Sequence, residues 1–325
     1  MIPDTGELVH AIVEQENRKN PNRYKADSLR RLDRESNGTD VDDSPDIYRI
    51  DGISEIDDSI VMVSNSQFPD FVSGVVDKVN AVMASLDSRL GEKVVCPSAS
   101  GTSDRQSYAF WPRHQPISEN RLVKRVQIMS VQQNVYQWLC EVSRQTRDEV
   151  RSDEVIASRY RVPLSFLIDQ DYVPDTVKKI AEHSLNELES SRFEPVSILQ
   201  HGDFWYGNIL LGRSWPFSPA SLGSFHVIDW GGADTRGYPY VDQLRFLMSL
   251  GKRDSQIETC LDRYSDTSGI LLKDIVNYVC SYAGFLGMNR NEFPLNRYLK
   301  LVDTLLSRAS RFTRLPASSS VYSAG

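Results

Sequence analysis

The 325-residue chain has few cysteines, few histidines and no long apolar run, and each scarcity removes a class of function. Cys96, Cys140, Cys260 and Cys280 lie far apart and make no CxxC pair. That argues against a zinc site or a disulfide framework and leaves reduced, mostly buried thiols. No apolar stretch approaches the roughly 18 residues that cross a bilayer. The opening MIPDTGELVH lacks the basic start and apolar centre of a secretory signal. A soluble, cytoplasmic protein without a membrane partner is expected. A basic block is missing as well. Residues 1–60 hold 15 acidic and 8 basic side chains, so the formal net charge of −7 originates there, and residues 61–325 are balanced at 29 of each. Electrostatics therefore gives no support for a nucleic-acid partner.

What is present suits a folded enzyme-sized protein. Apolar residues make up 40% and charged residues 25%, ordinary for a globular chain, and the length suggests two domains. A helical pattern starts at Leu8, Ile12 and Val13, and the segment from Glu35 to Asp46, rich in Asp, Ser, Gly and Asn, reads as a loop or link. Ile47–Ile50 and Ser59–Val63 read as an antiparallel strand pair around Gly52. Apolar residues from Phe71 to Leu90 recur at three and four, giving an amphipathic helix. Lys93–Cys96 and Ser107–Trp111 are further strand candidates, with a Gly-Ser turn region between them. Beyond a connector at Pro112–Pro116, helical periodicity covers Ser118–Arg147, Asp175–Ser191, Tyr240–Leu250, Gln256–Tyr264, Ile270–Leu286 and Leu295–Arg311. Ile209–Leu211 and Phe225–Ile228 interrupt it as short strands, and Ala317–Gly325 reads as a frayed tail. The class is α+β: residues 1–112 form a small antiparallel-sheet part and residues 113–325 a mainly helical one.

The segment that carries chemistry is His201-Gly202-Asp203-Phe204-Trp205-Tyr206-Gly207-Asn208-Ile209-Leu210-Leu211, followed about twenty residues later by Ile228-Asp229-Trp230. Phosphoryl transfer to an alcohol needs one carboxylate to accept the hydroxyl proton, and an amide oxygen plus a second carboxylate to hold Mg²⁺ against nucleotide phosphates. Asp203, Asn208 and Asp229 fit those roles in that order. The neighbouring aromatics, Phe204, Trp205, Tyr206, Trp215 and Trp230, read as core or pocket wall. Arg121, Lys124 and Arg125 read as a solvated helix face.

At these residues the chain resembles the aminoglycoside phosphotransferase and choline kinase-like family, which has the protein-kinase architecture. The match is a His-x-Asp-x-x-x-x-Asn loop (His201, Asp203, Asn208) and a strand ending in Ile228-Asp229-Trp230. The resemblance implies a two-lobed fold and a Mg²⁺-dependent kinase that moves the γ-phosphoryl group of ATP or GTP to a hydroxyl of a sugar, aminocyclitol or amino-alcohol. It implies Asp203 as catalytic base, Asn208 and Asp229 as magnesium ligands, and His201 and Asp242 as supports of the loop. It also makes Tyr108–Pro112 the hinge strand, with the backbone of Ala109, Phe110 and Trp111 meeting adenine. Arg236 is a candidate phosphate or substrate contact.

The N-terminal part departs from that pattern. A kinase fold places a lysine on the third strand and a carboxylate partner on the following helix, yet no lysine lies between Lys25 and Lys78. No Gly-rich loop of the usual kind is present, although Ser36–Gly38 and Gly52 leave room for a looser one. Either Arg49 or Lys78 reaches the phosphates from elsewhere, or nucleotide binding is weak or lost. The alternative is then a catalytically silent kinase-like binding or regulatory module. A two-metal phosphoesterase using His201 and Asp203 is disfavoured, because such sites gather several histidines and the five here, His10, His114, His183, His201 and His226, are scattered.

Overall fold

The computed structural model describes residues 5–21, 23–32, 45–212, 223–289 and 294–312. The strands are β1 (Arg30–Arg31), β2 (Asp46–Ile50), β3 (Ser59–Val63), β4 (Ala99–Ser103), β5 (Gln106–Pro112), β6 (Gln115–Pro116), β7 (Asp148–Glu149), β8 (Val196–Gln200), β9 (Ile209–Leu211), β10 (Phe225–Val227) and β11 (Asp234–Gly237). The helices are α1 (Thr5–Lys19), α2 (Phe71–Ser85), α3 (Ser88–Gly91), α4 (Arg121–Thr146), α5 (Asp153–Ile156), α6 (Val162–Asp169), α7 (Asp175–Glu189), α8 (Val241–Ser249), α9 (Asp254–Ser268), α10 (Ile275–Met288) and α11 (Leu295–Ala309). They group into two compact units, Met1–Ser118 with Ile209–Gly231, and Glu119–Asn208 with Gly232–Gly325. No helix among the described residues is long and apolar enough to cross a membrane.

The first unit is built on an antiparallel sheet of order β1-β2-β3-β5-β4. Its two faces follow from strand alternation. Val61 and Val63 on β3 and Tyr108 and Phe110 on β5 join Tyr48 and Ile50 of β2 against Leu8, Val9, Ile12 and Val13 of α1. The intervening residues Met62, Ala109 and Trp111 turn the other way and pack on Phe71, Val72 and Val76 of α2. Two sheet serines cap that helix: Val72 N donates to Ser64 Oγ at 2.9 Å and Ser73 N to Ser107 Oγ at 3.1 Å. The expected pair β2 and β3 is present, with Tyr48 opposite Val61. The expected helix 71–90 is two helices, because the chain leaves the helical conformation at Leu86 and Asp87 caps α3 through Leu90 N at 2.8 Å.

Two strand expectations need correction. Ala99–Ser103, read as a turn region, is a strand that pairs with β5. The turn is Asp104-Arg105, both at positive φ, the two-residue geometry that matches strand twist. Lys93–Cys96 is not a strand of this sheet; Val94 makes a single parallel bridge to Val227 of β10. A second, three-stranded sheet, β10-β9-β6, completes the unit.

The second unit is helical, with a small sheet of order β11-β8-β7. All five residues of β8 are buried, so its sequence Val-Ser-Ile-Leu-Gln shows no alternation and escaped the periodicity reading. Residues 153–169 also escaped it. There α5 runs through a π-helical turn, Ala157–Arg161, into α6, and Pro163 sits in the first turn of α6, where proline is tolerated. Gly284 of α10 lies against the Pro163 backbone, leaving no room for a Cβ. The four cysteines are free thiols, Cys140 and Cys280 buried, Cys96 and Cys260 half-buried. The expectations for Ser36–Gly38 and most of the Glu35–Asp46 link, for Trp215 and for the tail 317–325 lie outside the described residues.

Candidate active site

The segment after β8 takes much of its support from α8. His201 N donates to Asp242 Oδ2 at 2.6 Å and Gly202 N to Asp242 Oδ1 at 3.1 Å. Asp242 is 3% exposed. Burial pushes its carboxyl upward, and His201, Arg245 and the two backbone donors act against that. The helix that presents it begins just after Tyr240, whose backbone is left-handed at φ 70° and whose buried hydroxyl donates to Ile270 O at 2.6 Å. Gly202 adopts φ +86°, and a Cβ there would meet Gly232 O at 2.6 Å. Glycine is therefore required at this turn.

The rest of the loop folds around these anchors. Asp203 N donates to His201 Nδ1 at 3.3 Å, so that ring nitrogen acts as an acceptor within the loop. Asn208 Nδ2 donates to Asp203 O at 2.8 Å, and Asn208 N to Trp205 O at 3.0 Å. Tyr206 N reaches Ser249 Oγ at 3.2 Å. Phe204 is fully buried, between Trp138, Phe246 and the His201 ring. The Asp203 side chain is left 49% exposed, paired with Arg245. A loop whose peptide groups are committed and whose carboxylate faces outward can offer that carboxylate as a proton acceptor.

Three holders of this loop were not singled out from sequence. Arg245 and Ser249 lie three and seven residues beyond Asp242 on the same helix, so spacing on α8 could have suggested them. Tyr282, whose hydroxyl donates to Gly202 O at 3.4 Å, comes from α10 and left no local signal. Lys124 corrects an expectation: it is not a solvated side chain, since its Nζ donates to Tyr206 OH at 2.6 Å and stands 4.1 Å from that ring. Arg121 and Arg125 are exposed as expected.

In the first unit, Asp229 is exposed and left-handed at φ 66°, just after β10, and Trp230 Nε1 donates back to Val227 O at 3.2 Å. β3 carries no lysine. Met62 occupies the α2-facing side of β3, and α2 answers it with Val72 and Val76. Lys78 is exposed, on the side of α2 opposite Val76, and Asp77 is exposed beside it. Helix geometry thus turns Lys78 away from the sheet. Arg49 lies directly across from Ile60, and Ile60 across from Trp111, in one cross-strand row. Arg49 is ion-paired with Asp51 at 2.8 Å and, with Glu55, Asp58, Arg113 and His114, lines a cavity of about 410 Å³.

The hinge expectation is altered by the same sheet. Ala109 and Phe110 are fully buried on β5, an interior strand, paired on one side with Met62 and Val61 and on the other with Ser100 and Ala99. Their backbone groups serve the ladders and are not available to a base. Trp111 pairs with Ile60, and its Nε1 is a buried donor without a partner among the described residues. Arg236 is exposed on β11, next to β8, its backbone N bonded to Asp234. Among the described residues no three or more His, Cys, Asp or Glu side chains gather as a metal-holding group.

Comparison with solved structures finds similar folds at low identity. An aminoglycoside phosphotransferase of Streptomyces rimosus, solved with ADP and streptomycin, aligns over 92% of this chain and 98% of its own at 10% identity and a TM-score of 0.47. A choline/ethanolamine kinase family protein of Mesorhizobium loti aligns over 89% and 88% at 11% identity and 0.46. An aminoglycoside-3'-phosphotransferase of type VIII aligns over 91% and 97% at 16% identity and 0.41. No family model and no curated protein matches the chain.

Proposed function

We propose that the protein is a small-molecule kinase of the aminoglycoside phosphotransferase and choline kinase-like group, moving the γ-phosphoryl group of ATP or GTP to a hydroxyl of a sugar, aminocyclitol or amino-alcohol. The observation that carries this reading is the 201–208 loop, whose amides are gripped by buried Asp242 while the Asp203 carboxylate stays half exposed. Asp203 accepts the acceptor's hydroxyl proton. His201 and Asp242 keep the loop in shape. Asn208 and Asp229 hold magnesium, which when bound offsets the charge of the nucleotide phosphates.

The donor chemistry fits that ion. Asn208 spends its amide nitrogen on Asp203 O and keeps its oxygen, and Asp229 offers an exposed carboxylate. Hard oxygen donors, few in number, suit Mg²⁺, which keeps several waters and phosphate oxygens of its own. Along the chain these residues flank one strand pair: Ile209 stands opposite Val227, with Asn208 one residue before the first and Asp229 two after the second. In this reading Arg49 takes the place of the strand lysine on the phosphates, and Arg236 is a further phosphate or substrate contact. Residues 1–112 then cover the nucleotide and residues 113–325 carry the loop and acceptor pocket.

A second reading, a silent binding module, is favoured by the apolar packing of Met62 on Val72 and Val76. Thermal denaturation with Mg-ATP or Mg-GTP separates the two, since nucleotide at a hundred times its dissociation constant adds about 2.7 kcal/mol. A raised melting temperature, together with nucleotide consumption on a panel of sugars, aminocyclitols and amino alcohols, is expected. No shift and no turnover would favour the silent module.

A further inference from the structure

The reacting carboxylate proposed above carries a cation of its own. Arg245 stands one helical turn beyond Asp242 on α8. Its Nη1 donates to Gly202 O at 2.9 Å, and its Nη2 donates to Asp203 Oδ1. Two bonds from one planar fork fix the carboxylate against the peptide that precedes it, which a single ammonium group does not reproduce. The guanidinium is 21% exposed, so the pair is partly shielded from water and salt. Oδ1 is thereby occupied, leaving Oδ2 for a hydroxyl proton.

The pairing also settles the charge that an acceptor meets. Asp242 spends both its oxygens on loop amides, and Arg245 offsets Asp203. Lys124 adds a positive charge on the Tyr206 flank of the same loop. A bare carboxylate draws a cationic acceptor, whereas one already paired with guanidinium loses that pull.

We infer that Arg245 is a positioning residue that fixes Asp203 and, by offsetting its charge, directs the enzyme to neutral polyols and sugars and away from acceptors with an ammonium group beside the reacting hydroxyl. This rests on the kinase reading and narrows its acceptor class. In the reaction, the acceptor oxygen forms a bond to the γ-phosphorus as the bond to the β-phosphate bridging oxygen breaks. ADP leaves with that electron pair, and the hydroxyl proton passes to Asp203 and then to water.

The test uses matched acceptors with Mg-ATP, D-glucose against D-glucosamine and myo-inositol against 2-deoxystreptamine, with ADP release and phosphate-ester formation measured for each. The wild type is expected to favour the neutral member by about tenfold or more in kcat/KM. Arg245→Gln is expected to lower kcat on the neutral acceptor about 100-fold with little change in KM, and to bring the preference close to one. Arg245→Lys, which keeps the charge without the fork, should retain the preference while kcat stays low, and Arg245→Met, which also removes the charge, repeats the preference measurement if the glutamine variant does not fold. Preference for the aminated acceptors by the wild type would overturn the inference, as would an equal loss on both acceptors in Arg245→Gln with the preference intact. Absence of turnover by the wild type on every acceptor with Mg-ATP and with Mg-GTP would instead overturn the kinase reading, and this inference with it.

Discussion

The loop at 201–208 and the sheet face under α2 treat charge in opposite ways. In the loop, a buried carboxylate, a guanidinium, a hydroxyl and an ammonium group each hold a named polar atom: Asp242 on two amides, Arg245 on Gly202 O, Ser249 on Tyr206 N, Lys124 on Tyr206 OH. On the sheet face, β3 has no lysine, Met62 turns toward the facing helix, and that helix offers Val72 and Val76. Charge is retained around the loop, whereas apolar packing takes the α2-facing side of β3 and leaves Arg49, across from Ile60, as a cation beside it. A firmly placed base and a weakened hold on the nucleotide are the expected result.

The sharpest way to break that contrast is at Asp242. Asp242→Asn replaces one acceptor oxygen by a donor facing a backbone N–H. It should lower kcat about 100-fold and cost about 1–3 kcal/mol, because a buried amide loses its partner. Steady-state kinetics and urea denaturation check both. A fully active, equally stable variant would remove the loop from the account. On the sheet side, Arg49→Gln should weaken Mg-ATP binding by about tenfold, measured by calorimetry, with kcat little changed, since one phosphate contact is lost rather than the reacting group. Unchanged affinity would take Arg49 out of the phosphate site.

The smallest effect concerns stability alone. Burial pushes the Asp274 carboxyl up to about 6, with Lys273 opposing and Glu187 adding to the shift. A carboxyl raised on folding favours the folded state below its unfolded pKa, and that contribution is lost as pH rises through about 6. Asp274→Asn should therefore match the wild type near pH 4 and exceed it in stability at pH 8, read from urea midpoints. A constant difference across that range would contradict the assignment.

The loop was legible in sequence and its supports only partly so. His201, Asp203 and Asn208 lie within eight residues, so their spacing carries the local geometry, and Asp242 opens a helix where a polar brace is recognisable. Arg245 shares a helix face with Asp242 and could have been found. Tyr282 is 80 residues from Gly202, and nothing local encodes that contact. Ser59–Val63 was readable as a short β-prone run, whereas Val196–Gln200, buried on both faces with polar residues inside it, has neither a period nor a clear apolar run to detect. The 71–90 periodicity continued past the break at Leu86 because side-chain pattern does not register a backbone turn. The two-sided pairing of Ala109 and Phe110 is not readable from sequence for a related reason. The residues of an interior strand and of an edge strand look alike until the pairing of β4 is known.

The most direct measurement is phosphorus NMR of Mg-ATP with a neutral polyol, catalysed by the wild type and by Asp203→Asn. The account predicts a phosphate monoester signal with the wild type and a rate lower by about 10³-fold with the variant, while the melting-temperature shift produced by Mg-ATP is retained. Equal rates from the two proteins would contradict it.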